Sequence, residues 1–178
     1  MNSKMKDSTL FTLFLSGGFG VIITYIFLYF SNTLNILANY YTKQEWRFWT
    51  VSMLVTAASV VGLIVWFSFY QELEGWQRDL FISGLTVFLA FAMIWSFSVF
   101  YIHKYNLHPN YQRPILLIVG LATVAMLIAT VYSTDKWLVI TAAAIIVWHH
   151  LIIDGFWWPM LHQRGYQASV RHKKVRVS

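Results

Sequence analysis

The stretch PILLIVGLATVAMLIATVYS, from Pro114 to Ser133, decides the fold, because it runs for twenty residues without a charged side chain. The hydrocarbon core of a bilayer is about 30 Å thick, and an α-helix of about 20 apolar residues crosses it. The stretch is continuously apolar and does not alternate, which argues against a strand of a membrane β-barrel. A helix satisfies all its backbone hydrogen bonds within one segment. The sequence therefore predicts a membrane-spanning helix here.

Four more runs share these properties, and none of the five contains Lys or Arg. They are Ser8–Phe30, Phe48–Tyr70, Leu80–His103 and Trp137–Met160. Short polar segments join them, so neighbouring helices are expected to be antiparallel. The predicted fold class is all-α, an integral membrane five-helix transmembrane bundle over residues 1–163, followed by a basic tail over residues 164–178.

The composition supports a membrane protein. Of the 178 residues, 58% are hydrophobic and 11% are charged, whereas soluble domains carry about 25% charged residues. The length leaves no room for a soluble domain of ordinary size beside five spans. The absence of cysteine excludes disulfides, iron–sulfur clusters, thiolate zinc sites and cysteine nucleophiles.

The basic residues predict the orientation. Nine lie on the side of the C-terminus and four on the other side, and cytoplasmic loops carry the excess of Lys and Arg. The first group is Lys43, Arg47, Lys104, Arg113, Arg164, Arg171, Lys173, Lys174 and Arg176, and the second is Lys4, Lys6, Arg78 and Lys136. We expect a cytoplasmic C-terminus and an outside N-terminus in a multi-pass protein of the cell or inner membrane. Lipid headgroups account for the net charge of +6, so nucleic acid is not an expected partner.

Aromatic residues make up 19% of the chain and gather near the ends of the runs. Indole and phenol rings favour the headgroup boundary, so most of these residues are expected to be interfacial anchors. The set comprises Tyr29, Tyr40, Tyr41, Trp46, Trp49, Tyr70, Trp76, Tyr101, Tyr105, Tyr111, Trp137, Trp157, Trp158 and Tyr166.

Chemistry is concentrated in the last run, which contains WHHLIIDGFWWPMLH from Trp148 to His162. Asp154 is the only acidic residue inside any of the five runs. An ionisable group at membrane depth costs at least about 2.5–3.5 kcal/mol, so it is expected to face the bundle interior with a partner. His150 and Asp154 are four residues apart and share one face of an α-helix, whereas His149 is expected to point about 100° away.

Gly155 and Pro159 predict a break in this helix. Proline removes a backbone donor and its ring collides with the preceding turn, so the helix is expected to kink or end at Pro159. Glycine leaves space beside Asp154. Together they predict a polar pocket in the cytoplasmic half of the membrane.

Three hypotheses fit this pocket. In the first, His150 and Asp154 bind iron, copper, zinc or manganese, or a haem, with donors from another helix and with His149 as an additional or outer ligand. His103 and His162, both at cytoplasmic helix ends, are further candidate metal ligands, and they are expected to meet each other more readily than either meets His149.

In the second hypothesis, His150 and Asp154 are catalytic groups that act as a general acid/base or a proton relay on a lipid-phase substrate. The predicted ligand pocket then contains His149, Gly155, Trp157, Trp158, Trp95 and Trp66. The protein would be a small catalytic or redox component, alone, as a homo-oligomer or with other membrane subunits. The alternative function is noncatalytic binding or transport of a hydrophobic small molecule such as a lipid, sterol or porphyrin.

In the third hypothesis, the site only fixes helix packing. His150 and Asp154 would satisfy each other or bind the hydroxyls of Thr56, Ser59, Ser96 or Ser98.

Two protein families share features with this chain. Its size, five spans and nine tryptophans are similar to those of the translocator-protein family, which binds porphyrins and sterols, but that family's tryptophan and proline pattern does not align with it. One Asp with two His is similar in composition to the copper site in the membrane C subunit of methane and ammonia monooxygenases. There the carboxylate precedes the histidines, whereas here Asp154 follows them. Neither resemblance is used to assign a residue.

Overall fold

Five helices are long and apolar enough to cross a membrane, as the sequence predicts. The computed structural model describes residues 7–105 and 107–175, and it contains no strand within those ranges. Some basic residues used for the orientation lie outside the described residues or have side chains outside them; these are Lys4, Lys6, Arg171, Lys173, Lys174 and Arg176. The orientation therefore stays a prediction.

The helices follow one another in an antiparallel order with short connections. They are α1 (Ser8–Phe30), the short α2 (Thr33–Ala38), α3 (Lys43–Val65) with a π turn (Trp66–Tyr70), α4 (Gly75–Tyr105), a 3-10 turn (Pro109–Gln112), α5 (Arg113–Ser133), α6 (Trp137–Val147), a π-helical segment (Trp148–Trp157) and α7 (Trp158–Val175). We call the continuous stretch from α6 through α7 the last helix. We call the end of the bundle where α3 begins and α4 ends the tail face.

Small residues set the closest helix contacts. A Cβ atom at Gly84 of α4 would lie 2.8 Å from the carbonyl oxygen of Ala122 on α5. A Cβ atom at Gly120 of α5 would lie 2.9 Å from Cδ1 of Leu151 in the π segment. Glycine thus lets these backbones approach. The α5 helix thereby holds the middle of the last helix against the core.

The last helix does not end at Pro159, so of the two outcomes that the sequence predicts there, a kink or an end, the end is wrong. It passes through the π segment and continues as an α-helix to Val175. In an α-helix, the Pro159 ring would collide with the turn that contains Gly155. The π segment has wider i→i+5 bonding, as in the bond from the Trp158 N–H to the Ile153 oxygen. This winding rearranges the carbonyls ahead of the proline, so the helix accommodates the ring instead of breaking.

The N-terminus of α1 is fixed to α4 by an ion pair between the buried Asp7 and the partly exposed Arg78. Asp7 caps α1 by accepting the Leu10 N–H at 3.0 Å, and the Arg78 Nε donates to its other oxygen at 2.8 Å. The Asp7 side chain is 5% exposed. Burial alone raises the pKa of the Asp7 carboxyl, but the hydrogen bonds from Arg78 and Leu10 outweigh it and lower the pKa below its ordinary value.

This pair predicts acid sensitivity of the fold. A folded-state pKa below the unfolded value stabilises the protein above the unfolded pKa of about 3.9. That contribution is lost as pH falls through the folded pKa. We expect the melting temperature to fall below about pH 4, and Asp7→Asn to lower it at neutral pH while flattening its pH dependence.

Thermal unfolding in detergent between neutral and acidic pH measures this effect. Asp79→Asn is the matched control, because Asp79 is exposed on the same end of α4 and should leave the profile unchanged. Parallel pH profiles for Asp7→Asn and the unmodified protein would show that the pair contributes nothing.

Candidate functional site

The π segment gathers His149, His150 and Asp154 into one cluster. The Asp154 Oδ2 lies 3.0 Å from Nδ1 of His150 and 3.4 Å from Nε2 of His149. One ligand atom from each residue falls within 4.8 Å of the other two. The His149 side chain is 2% exposed and that of Asp154 is 13% exposed. The expectation that Asp154 is sheltered at depth with an imidazole partner therefore agrees with the geometry.

His149 was expected to point about 100° away from His150 and Asp154, but its Nε2 faces Asp154, and this part of the prediction was wrong. Adjacent residues diverge by about 100° on an α-helix. In a π-helix, residue i bonds to residue i+5, so a side chain lies above the gap between the side chains four and five positions earlier. Asp154 is four residues after His150 and five after His149. Both imidazoles therefore reach the same carboxylate oxygen, with their ring centroids 4.9 Å apart.

Two residues of α3 orient the cluster, and sequence reasoning missed both roles. The Trp49 Nε1–H donates to Oδ1 of Asp154 at 3.2 Å. The Ser52 hydroxyl lies 2.8 Å from Nδ1 of His149. Trp49 was expected at the membrane interface, but it is buried. Only the packing of α3 against the last helix brings these side chains to the cluster, so no sequence signal identifies them.

The cluster has the donor set of a metal site. Two ligand atoms, each about 2.0–2.1 Å from a tetrahedral zinc ion, lie about 3.3 Å apart. The two nitrogen–oxygen distances in the cluster, 3.0 and 3.4 Å, are close to that value. Ser52 contacts Nδ1 of His149, the ring nitrogen that does not face Asp154. A metal-bound histidine commonly makes a hydrogen bond through the nitrogen that does not bind the metal. A tetrahedral ion held by these three residues would keep a fourth position open.

A hydrogen-bonded proton between His150 and Asp154 is the alternative to a metal ion in this cluster. At 3.0 Å, His150 and Asp154 satisfy each other by a hydrogen bond. Of the hydroxyls that the packing hypothesis invoked, Ser96 binds Thr24 and Ser59 binds the carbonyl of Val55. Ser98 binds the carbonyl of Trp95. Thr56 lies on the cavity wall with both imidazoles, and its buried hydroxyl has no hydrogen-bond partner among the described residues.

An apolar cavity of about 540 Å³ lies against the two imidazoles. Its wall comes from α1, α3, α4 and the π segment, and consists of Val21, Ile22, Tyr25, Ile26, Tyr29, Phe30, Met53, Thr56, Ala57, Val60, Phe88, Ala92, His149 and His150. The Phe88 ring packs edge-on against His150, with centroids 4.9 Å apart. Pockets for small ligands commonly have volumes of about 300–1,000 Å³.

The other residues predicted for the pocket do not line this cavity. Trp66 donates to the side chain of Gln71 in the loop after its π turn. Trp157 packs against Phe48. Trp95 and Trp158 are buried in a hydrophobic cluster that also contains Trp49. Gly155 is buried in the last helix, and a Cβ there would meet the carbonyl oxygen of His150 at 3.4 Å. The residues of α1 and α3 take the place that the tryptophans were expected to occupy.

His103 and His162 meet each other at the tail face. Their rings are nearly parallel, with centroids 5.3 Å apart. The Tyr40 ring lies 5.4 Å from His103 and 5.6 Å from His162. Along the last helix, His162 is twelve residues from His150, or about 18 Å at 1.5 Å per residue. The pair is therefore separate from the first cluster.

Comparisons of the chain with protein-family models, with curated proteins and with solved structures give no match.

Proposed function

We propose that this chain is a multi-pass protein of the cell or inner membrane in which His149, His150 and Asp154 bind a transition-metal ion and act on an apolar molecule from the lipid. The observation that supports the proposal is that both imidazoles line the cavity wall while also facing Asp154. Imidazole and carboxylate ligands suit iron, copper, zinc and manganese. With five spans, the protein would act alone, as a homo-oligomer or as a subunit of a larger membrane complex.

The cavity supports an apolar ligand that enters from the bilayer. Ile22 and Ile26 of α1 belong to its wall and are also exposed on the helix surface. In a bundle that spans a membrane, this surface faces lipid tails. A molecule that passes beside α1 would therefore reach the imidazoles without crossing water.

The cluster supports acid/base or redox chemistry on this molecule. A metal ion with an open position polarises a bound oxygen. Histidine transfers protons near neutral pH, and a carboxylate hydrogen bond orients its ring. Trp49 and Ser52 hold Asp154 and His149 in place and thus reduce the reorganisation required on binding.

The second candidate function is noncatalytic binding of a hydrophobic small molecule such as a lipid, sterol or porphyrin. The 3.0 Å hydrogen bond favours it, because His150 and Asp154 satisfy each other without an ion. The cavity would then bind the ligand, and the cluster would only contribute polar groups to the cavity wall.

Metal analysis and a visible spectrum of the purified protein separate the two functions. The metal-dependent function predicts bound metal that decreases in His150→Ala, with His108→Ala as the control outside the cluster. A metal-free, colourless protein that zinc or copper does not stabilise, but an added sterol or lipid does, would support noncatalytic binding instead.

Ser52→Ala tests the support of His149. We expect it to weaken zinc binding at this cluster about 10-fold to 100-fold, since outer hydrogen-bond partners of metal-bound histidines have effects of this size. Ser59→Ala is the matched control, because the Ser59 hydroxyl binds the carbonyl of Val55 on its own helix. Calorimetric titration with zinc measures both. Equal affinities of the two variants would contradict the role of Ser52.

A further inference from the structure

A buried polar layer lies at the tail face, away from the first cluster. His103 is at the end of α4 and His162 is in α7, so the pair joins two helices that are far apart in sequence. Their rings and that of Tyr40 form a triangle with sides of 5.3 to 5.6 Å. Tyr40 packs directly against the backbone of the last helix at Gly165, where a Cβ atom would lie 2.6 Å from the Tyr40 Cβ.

Several buried polar atoms of the histidine pair and of the adjoining 3-10 turn have no hydrogen-bond partner among the described residues. They are Nε2 of His103, Nδ1 of His162 and both amide atoms of Gln112. His162 and Gln112 are each 1% exposed. Gln112 belongs to the 3-10 turn, which packs against both α4 and α7. A buried polar group without a partner loses its hydration and destabilises the fold, so ring packing alone does not explain two unpaired imidazole nitrogens.

The chemistry of these atoms indicates what would satisfy them. A neutral imidazole presents a lone pair on one nitrogen, and a carboxamide presents a carbonyl oxygen. Transition-metal ions accept both kinds of donor, and imidazole suits zinc and copper in particular. A haem does not fit between the two histidines, because their rings already contact each other and a flat macrocycle would have to separate them.

We propose that His103 and His162 form a second metal site, which takes a single zinc or copper ion between α4 and the last helix, with Gln112 as an additional oxygen donor. The site is independent of the first cluster and does not require the proposed function. Because its ligands come from two helices, a bound ion would cross-link the tail face of the bundle and stabilise the folded protein.

Zinc titration in an Asp154→Asn background tests the second site alone. We expect this background to retain one equivalent of zinc and a zinc-dependent rise in melting temperature. Adding His162→Phe should remove both, because phenylalanine keeps the ring packing but has no nitrogen. Adding His108→Ala should remove neither, since His108 lies in the neighbouring loop, outside the pair.

Each outcome decides the proposal. If the Asp154→Asn protein binds no zinc while the unmodified protein binds one equivalent, the second site does not exist although the first one does. If the His162→Phe addition leaves the bound zinc unchanged, the ion is held elsewhere and the pair only packs. A His103→Phe variant must give the same result as His162→Phe, and circular dichroism confirms that both variants fold.

Discussion

Replacing Asp154 with asparagine is expected to weaken metal binding at the first cluster by more than the loss of about 10-fold to 100-fold that removing an outer partner of a ligand causes. The amide keeps the size of the carboxylate and an oxygen for the Trp49 N–H, but it removes the negative charge that faces both imidazoles. Zinc titration in a His162→Phe background measures the loss without a contribution from the tail face.

The same variant separates binding from packing. The asparagine keeps an oxygen for the Trp49 N–H and an amide that can bond His150, so the metal-free variant should unfold close to the temperature of the metal-free parent. Zinc at about 100 times its dissociation constant should stabilise the parent by about 2.7 kcal/mol, and the variant by nothing. Asp135→Asn is the control, because Asp135 is exposed and pairs only with Lys136 in a loop. A metal-free Asp154→Asn protein that unfolds at much lower temperature would indicate a packing role.

Filling the cavity is expected to give the second large effect. Ala57 lines the cavity wall on α3, and Ala57→Phe would place an aromatic ring inside it. A photoreactive long-chain alcohol is a suitable probe, because it has an apolar body and one oxygen that can reach the imidazoles. We expect its labelling of Tyr25 and Met53 to fall by about tenfold or more, a difference of about 1.4 kcal/mol in binding.

Ala58→Phe is the matched control. Ala58 is the next residue of α3 and is exposed, but it does not belong to the cavity wall. It should leave both labelling and metal content unchanged, whereas Ala57→Phe should change the labelling alone. Equal labelling of the two variants would mean that the alcohol binds somewhere other than the cavity.

The sequence was sufficient to predict the helical architecture. A helix that crosses the hydrocarbon core needs about 20 consecutive apolar residues, and such a run is visible in the hydropathy of the sequence alone. It predicted the helix ends less well. The expectation of a kink or an end at Pro159 assumed α-helical geometry ahead of the proline, whereas a π segment precedes it and the helix continues to Val175.

The site was predictable only in the part that one helix supplies. Asp154 and His150 were identified because an ionisable group in an apolar run is costly, which is a local argument. His149 was misplaced because its direction depends on the winding of the π segment. Trp49 and Ser52 reach the cluster from α3, a hundred residues away in sequence, so only tertiary packing reveals them. The assignment of Trp66 failed for the same reason, since its position along the helix says nothing about which neighbour it meets.

The central claim is that His149, His150 and Asp154 hold one metal ion beside the cavity. X-ray absorption at the zinc edge of the zinc-loaded His162→Phe protein tests it most directly. The account predicts nitrogen and oxygen neighbours at about 2.0–2.1 Å, with the scattering pattern of two imidazoles. A zinc ion with no imidazole neighbours, or a protein that retains no zinc at all, would contradict it.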